Sequence, residues 1–345
     1  MFPPETVHPW KKCRELVLLV HHPTDREAAA GIRGNFKYQE GYCSILLMKP
    51  KLPSIKINRY FAAIIILAFI PVTVGVMYEQ GSSTDITVLT MPDAPHGIVF
   101  IADPHLRDAN MAHIHEVIAT INSMHPSVVL IAGDFVYGDE DDFSLQEVWK
   151  EIDAPVYAVL GNHDYKSGDS ATAGIERNIA LRGADLDPEH YDLSCMKGDD
   201  SADYAYADNL VAALEQDGVH VLRNEYVKME IDGKTLCIVG VDDGWAGMAD
   251  PPEVPEGDDF VIYMIHEPEC RADWDADLIL AGHTHGGQFI PPGLDSIASD
   301  GLIQLSGMIN EDNHTTTYIT RGLGTSNLEF ELRLFATPEI VVINP

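Results

Sequence analysis

At 345 residues and 46% hydrophobic composition, the chain has room for a membrane segment plus one large domain or two small ones, which excludes a disordered protein. Its formal net charge is −32, and residues 1–59 hold ten of the 22 Lys and Arg but five of the 54 Asp and Glu, so the remainder is more acidic still. No nucleic-acid-binding surface is expected, because phosphate backbones are held by clustered Lys and Arg.

The five cysteines are odd in number, widely spaced and never in a C-x-x-C pattern, so neither a disulfide framework nor a cysteine zinc site is indicated. Residues 1–47 mix short apolar runs with Pro, Gly and His without a sustained period, and residues 1–59 are predicted to form a cytoplasmic arm. Met48 opens a tidier basic-then-apolar stretch and is an alternative start. Tyr60 to Tyr78 then run 19 residues without a charge, about the length a helix needs to cross ~30 Å of hydrocarbon. Lys49, Lys51, Lys56 and Arg59 precede this run and Glu79, Asp85 and Asp93 follow it, which places the arm inside and the acidic domain outside. A cleaved signal peptide is the rival, but the run is too long and no A-x-A site follows it. A retained anchor in the lipid bilayer through residues 60–78 is therefore expected, with an extracytoplasmic domain over 79–345.

After a linker near Gln80 to Asp85, five apolar runs each end in polar residues: GIVFIAD (97–103), SVVLIAGD (127–134), PVYAVLGNHD (155–164), FVIYMIHE (260–267) and ADLILAGHTHGG (276–287). Short β-rich runs without alternation predict strands buried on both faces. Helices are predicted between the first three, over 111–124 and 144–152, giving a β-α-β-α-β order and an α/β layered fold. Residues 165–202 break the rhythm and form an insertion with a short helix near 173–181. A helix over 202–216 follows, then strands over 219–222, 227–231, 235–241, 316–320 and 339–343.

The polar clusters form one set of metal donors. Asp103 and His105 stand two apart, as do His283 and His285, and in extended backbone such pairs face the same side, so each pair is expected to grip one ion. Asp134, Asn162 and His266 each end their own run, where open α/β sheets place ligands. Oxygen and imidazole donors in this mixture suit Mn, Fe or Zn. Bound ions would also supply the local positive charge that phosphate chemistry needs in so acidic a chain.

DPH at 103–105, GD at 133–134, GNHD at 161–164, His266 and GHTHGGQ at 282–288 resemble the five-block signature of the calcineurin-like metallophosphoesterase family. GVDDGW (240–245), TRGLGTS (320–326) and PEI (338–340) further resemble its membrane-anchored bacterial branch. The resemblance runs over about residues 86–343, leaving out the insertion. It implies a layered β-sandwich flanked by helices, preceded here by one transmembrane helix. It also implies two divalent or trivalent metal ions, one on Asp103, His105 and His285 and one on Asn162, His266 and His283, with Asp134 bridging. His163 matches the histidine that contacts phosphate and helps protonate the leaving group. Pro104 stands where relatives often have another residue, and removes no ligand.

Two cations about 3.5–4 Å apart can clamp a phosphoryl group and lower the pKa of a bridging water, so that hydroxide attacks in line without a side-chain nucleophile. The expected function is hydrolysis of a phosphodiester or phosphomonoester substrate. The alternatives are a pyrophosphate hydrolase for a UDP-2,3-diacylglucosamine-type lipid, and a metal-stabilised scaffold without activity. Around the core set, Asp164 either orients His163 or caps a helix. Asp242, Asp243 and Trp245 either line the pocket or support it, and Arg321 either contacts phosphate or stabilises a turn.

Overall fold

Helix α1 (Arg59–Gly81) begins the computed structural model, which describes residues 58–345 apart from 139–140, 169, 197–200, 255–256, 292, 295–303, 311–314, 327 and 329. These residues belong to one compact unit, Ile57–Pro345. The arm predicted over 1–59 lies outside the described residues up to position 57. Asn58 caps α1 by accepting from the Tyr60 N–H at 3.0 Å, and the helix runs through Pro71. Its last turn is fastened to the domain: the Arg333 N–H donates to the Met77 carbonyl and the Phe335 N–H to Gln80 Oε1, both at 3.0 Å. Gly81 lies against the Glu331 carbonyl, where a Cβ would collide. A helix thus occupies residues 60–78, but among the described residues no helix is long and apolar enough to cross a membrane. The side chains of residues 59 and 61–66 are outside the described set, and the spanning anchor is left without structural support.

The chain continues through β1 (Asp85–Thr90), β2 (Ile98–Ala102), α2 (Met111–Ser123), β3 (Val128–Ala132), β4 (Val156–Val159), α3 (Ala171–Leu181), α4 (Tyr204–Gln216) and β5 (Val219–Val221). It then forms β6 (Glu225–Ile231), β7 (Lys234–Gly240), β8 (Phe260–Met264), β9 (Leu278–Ala281), β10 (Gly307–Asn310), β11 (Thr316–Ile319) and β12 (Glu339–Asn344). The helix predicted over 144–152 is present as a 3₁₀ helix over Ser144–Glu151, and β1 and β10 are strands that the sequence does not predict. In β1 the apolar Ile86 and Val88 face outward, 53% and 60% exposed, so the strand does not present the buried run used as the signal elsewhere.

Two six-stranded sheets result, in the orders β1-β12-β2-β3-β4-β5 and β10-β11-β9-β8-β7-β6. β2 to β5 run parallel, as do β7, β8, β9 and β11, while β12 against β2, β6 against β7 and β10 against β11 are antiparallel. Alternation sorts the strand residues between layers. Ile98, Phe100, Val128, Leu130, Ile262 and Leu280 fill the space between the sheets. Val99, Ile101, Val129 and Ile131 face outward to meet Ile114, Ile118 and Ile121 of α2 and Leu210 of α4. On the far face of the second sheet, Val239, Ile265 and Ile279 meet Leu181, Leu193 and Met196 of the insertion. The architecture is an α/β sandwich of two mixed sheets flanked by helices, and the parallel strands of both sheets aim their C-terminal ends at one edge.

Candidate metal centre

At that edge, Asp103 and His105 follow β2, Asp134 follows β3, Asn162 and His163 follow β4, His266 follows β8, and His283 and His285 follow β9. Two groups of side chains converge there: Asp103, His105, Asp134 and His285, and Asp134, His266 and His283, each with donor atoms within 4.8 Å of one another. Asp134 belongs to both. Its Oδ2 lies 3.4 Å from His105 Nε2 and 3.2 Å from His266 Nε2. Asn162 joins the second group, its Oδ1 3.0 Å from His283 Nδ1. The His163 imidazole lies outside both groups, half-buried and edge-on to His105 with centroids 4.8 Å apart, while the His163 backbone N–H donates to Asp134 Oδ1.

The paired donors do not have the extended backbone that their two-residue spacing predicts. Asp103, His105, Asp134, His283 and His285 all have φ between 41° and 68°, in the left-handed region rather than in strand geometry. His283 and His285 fall into different donor groups: the reversed backbone at each sends His285 toward Asp103 and His105 and His283 toward His266. Such conformations cost non-glycine residues about 1–3 kcal/mol each, and they persist only where surrounding contacts fix them. Asp164 supplies several of those contacts. Its fully buried carboxylate accepts the N–H groups of Asp134, Phe135, Val136 and Gly161, tying the loop after β3 to the loop after β4. It therefore caps the 3₁₀ turn at 162–165 and also holds the Asp134 loop, rather than orienting the His163 ring. Gly161 has no room for a Cβ, which would strike Asp134 Oδ1 and His266.

Ring tautomers decide whether cations suit this site. His105 Nδ1 lies 2.9 Å from the Val136 carbonyl, His266 Nδ1 2.7 Å from that of Ala132, and His285 Nδ1 3.0 Å from that of Gly324. A carbonyl only accepts, so Nδ1 of His105 and of His266 carries a hydrogen; the neutral His105 ring then turns an Nε2 lone pair into the cluster, whereas His266 also holds a proton on Nε2 beside Asp134, and His285 Nδ1 is shared between the Gly324 carbonyl and the Arg333 guanidinium. The Nε2 atoms of His105 and His285 then face each other at 3.2 Å. Asp103 Oδ2 is buried without a hydrogen-bond partner among the described residues, and His266 Nε2 is buried with only the Asp134 carboxylate beside it, at 3.2 Å. Four imidazoles and two carboxylates brought together, with Asp103 Oδ2 left unpartnered among the described residues, converge more donor atoms than the protein's own hydrogens serve, so the donor set fits a dinuclear divalent metal site.

The remaining residues divide between support and wall. Arg321 ion-pairs with Asp85 and Glu339 at 3.1 Å each, holding β1 and β12 to the turn at 320–324, and Asp242 is engaged by Arg223 and Tyr165. Trp245 packs its ring on His283, with centroids 4.4 Å apart. Sequence reasoning missed Arg333, which is fully buried, donates to the Gly324 carbonyl and lies 3.2 Å from His285 Nδ1. A lone basic residue in an acidic chain near PEI was the available signal.

Burial keeps His105 and His283 neutral, pulling each down to about 3, and takes His285 well below the imidazole range. Burial also pushes Asp103 up to about 7 against the pull of His266. His266 is disfavoured as a cation by burial, but Asp134 and Asp103 outweigh this and hold its proton well above the ordinary value. A cation must expel both protons, so affinity should fall as pH drops, and more steeply below about 7, by roughly tenfold per pH unit for each proton released. Calorimetric Mn²⁺ titrations in buffers of different ionisation enthalpy would count those protons, and uptake without proton release would contradict the assignment.

The model of the family described as calcineurin-like phosphoesterase matches residues 96–287, more than half of the chain and all of the donor residues above. Phosphodiesterase YaeI of Escherichia coli strain K12 is 28% identical over 260 residues, covering 72% of this chain and 82% of that protein. The uncharacterized metallophosphoesterase YkuE of Bacillus subtilis strain 168 is 29% identical over 268 residues, 72% of this chain and 80% of that one. UDP-2,3-diacylglucosamine pyrophosphatase LpxG of Chlamydia trachomatis is 26% identical over 287 residues, 72% and 83% of the two chains. With these likenesses added to the donor cluster at the sheet edge, the chain belongs to the calcineurin-like phosphoesterase family and is a metal-dependent phosphoric ester hydrolase.

Proposed function

We propose that Asp103, His105 and His285 hold one cation, that Asn162, His266 and His283 hold the other, and that Asp134 bridges them. The convergence of the His105, His266, His283 and His285 rings on the Asp103 and Asp134 carboxylates is the observation that carries this reading. The mixed oxygen and nitrogen donors favour Mn, Fe or Zn in either divalent or trivalent form. When bound, such a pair supplies positive charge to phosphoryl oxygens and acidifies water. The chain's own groups do the rest. Asp134 fixes the spacing of the two donor groups, and the backbone carbonyls behind His105, His266 and His285 hold those three rings in place. His163, outside both groups and partly exposed at the mouth, is placed to give a proton to the leaving oxygen.

The substrate is a phosphodiester or a phosphomonoester. The YaeI name supports the diester, and the LpxG name supports a second reading as a UDP-2,3-diacylglucosamine-type pyrophosphate hydrolase. A panel of aryl phosphodiester, aryl phosphomonoester and lipid-linked UDP substrates, run with Mn²⁺, Zn²⁺ and Fe separately, distinguishes these. Asp134→Asn should weaken both metals and abolish turnover of whichever substrate is used. Two ions retained with near wild-type turnover would reject the bridging role.

His163→Ala should keep both metals and slow turnover by about 10²- to 10⁴-fold for alkyl esters, whose alkoxide needs a proton. The loss should be smaller for nitrophenyl esters, whose leaving group departs with little help. Equal slowing of both classes would assign His163 to phosphate positioning instead.

We further propose that the chain belongs to the membrane-anchored bacterial branch, with residues 1–59 cytoplasmic, 60–78 in the bilayer and 79–345 outside. Leu67, Phe69, Ile70 and Val72 of α1 are each more than half exposed, as lipid-facing residues would be, and the basic residues before Tyr60 set the direction. A reporter fused after Pro345 should register outside the cytoplasm. A cytoplasmic signal from a membrane fraction would reverse the orientation, and a fully soluble chain would remove the anchor.

A further inference from the structure

Three of the four clustered histidines are oriented by backbone carbonyls, and His283 is not. Its Nδ1 faces Asn162 Oδ1 at 3.0 Å, and the Asn162 amide is itself fixed, because Nδ2 donates to the Ser167 carbonyl at 2.8 Å. Oδ1 is therefore the end turned to the cluster. If Asn162 and His283 share an ion through Oδ1 and Nδ1, the hydrogen of His283 belongs on Nε2 and needs an acceptor. The group facing Nε2 is Glu269, whose Oε1 is 3.9 Å away and whose side chain is 8% exposed.

Glu269 lies on the 3₁₀ turn Pro268–Cys270, three residues after His266. The Trp245 indole N–H donates to Glu269 Oε1 at 3.1 Å, while Oε2 is buried with no hydrogen-bond partner among the described residues. Trp245 in turn is covered by the insertion. Ser167 Oγ donates to the Trp245 carbonyl at 3.1 Å, and Gly168, with φ +66°, lies so close to the indole that a Cβ could not fit. Glu269 thus sets a buried carboxylate beside the one ligand histidine that lacks a carbonyl partner, with Oε1 shared between the Trp245 indole and the approach to His283 and Oε2 left unspent among the described residues.

We infer that Glu269 is a positioning residue for the second cation: it accepts the His283 Nε2–H, fixes the tautomer with a lone pair on Nδ1, and makes that ring a stronger donor. Trp245 holds Glu269 in place, and the insertion keeps water from both. The two ion positions then differ in kind. The first is backed by the neutral Val136 and Gly324 carbonyls, and the second has a carboxylate behind one ligand, which strengthens binding of a cation there. The inference rests on the two-ion reading above.

The test is calorimetric titration of the metal-free full chain with Mn²⁺, comparing wild type with Glu269→Gln and Glu269→Leu, alongside thermal unfolding without metal. Loss of an outer-shell carboxylate should weaken the second ion by about 10- to 100-fold in Glu269→Leu. Glu269→Gln, which keeps an acceptor but no charge, should fall between Leu and wild type. The first ion should bind as in wild type, and the metal-free unfolding midpoint should hold or rise, because a buried carboxyl has been removed. Wild type taking up two ions and both variants binding them equally well would overturn the role of Glu269 alone. Equal weakening of both ions with a lowered midpoint would also overturn it, in favour of a purely structural role. Wild type taking up a single ion would instead overturn the two-ion reading, and this inference with it.

Discussion

The buried carboxylate of Asp134 is the junction on which the site depends. One residue after β3 must face His105 on one side and His266 on the other, so the two sheets have to meet at a fixed distance. Helices on one face and the insertion on the other bury enough apolar surface to hold that distance. The left-handed backbone at five donor residues is the local cost of turning side chains inward from strand ends. Asp164 offsets part of it, since one carboxylate satisfies four amide groups that would otherwise be stranded in a dry interior.

Much of this was legible in the sequence because burial on both faces writes itself as unbroken apolar runs. β2, β3, β4, β8 and β9 are such runs, and each donor residue stands just past the end of one. What the sequence did not disclose is backbone geometry. Asp103 and His105 look like alternate residues of a strand, but both stand beyond its end with positive φ, and spacing alone cannot distinguish these cases. Nor does a sequence display the carbonyls of Val136, Ala132 and Gly324, which carry no side-chain signature and yet decide which ring nitrogen faces the cluster. β1 escaped notice because its apolar residues point outward, and residues 144–151 tightened to a 3₁₀ helix although their apolar spacing reads equally well as α.

Two segments outside the paired strands bear on opposite sides of the site. The end of α1 accepts the Arg333 N–H at Met77, and the guanidinium of the same residue bonds the Gly324 carbonyl that backs His285. The insertion reaches the other side through Trp245. A change in how α1 or the insertion is seated would therefore act on different ends of the site.

The position of β12 has a consequence for folding. It lies between β1 and β2, parallel to one and antiparallel to the other, although residues 339–344 follow all the other described strands in the chain. The twelfth strand in sequence is thus an interior strand. Until it is seated, β2 can pair with β3 on one side while its other edge stays open, and Arg321 lacks its partner Glu339. An open edge is a template for pairing with another chain. The sheet closes over a loop of more than two hundred residues between β2 and β12, which makes slow, late assembly a property of the topology itself.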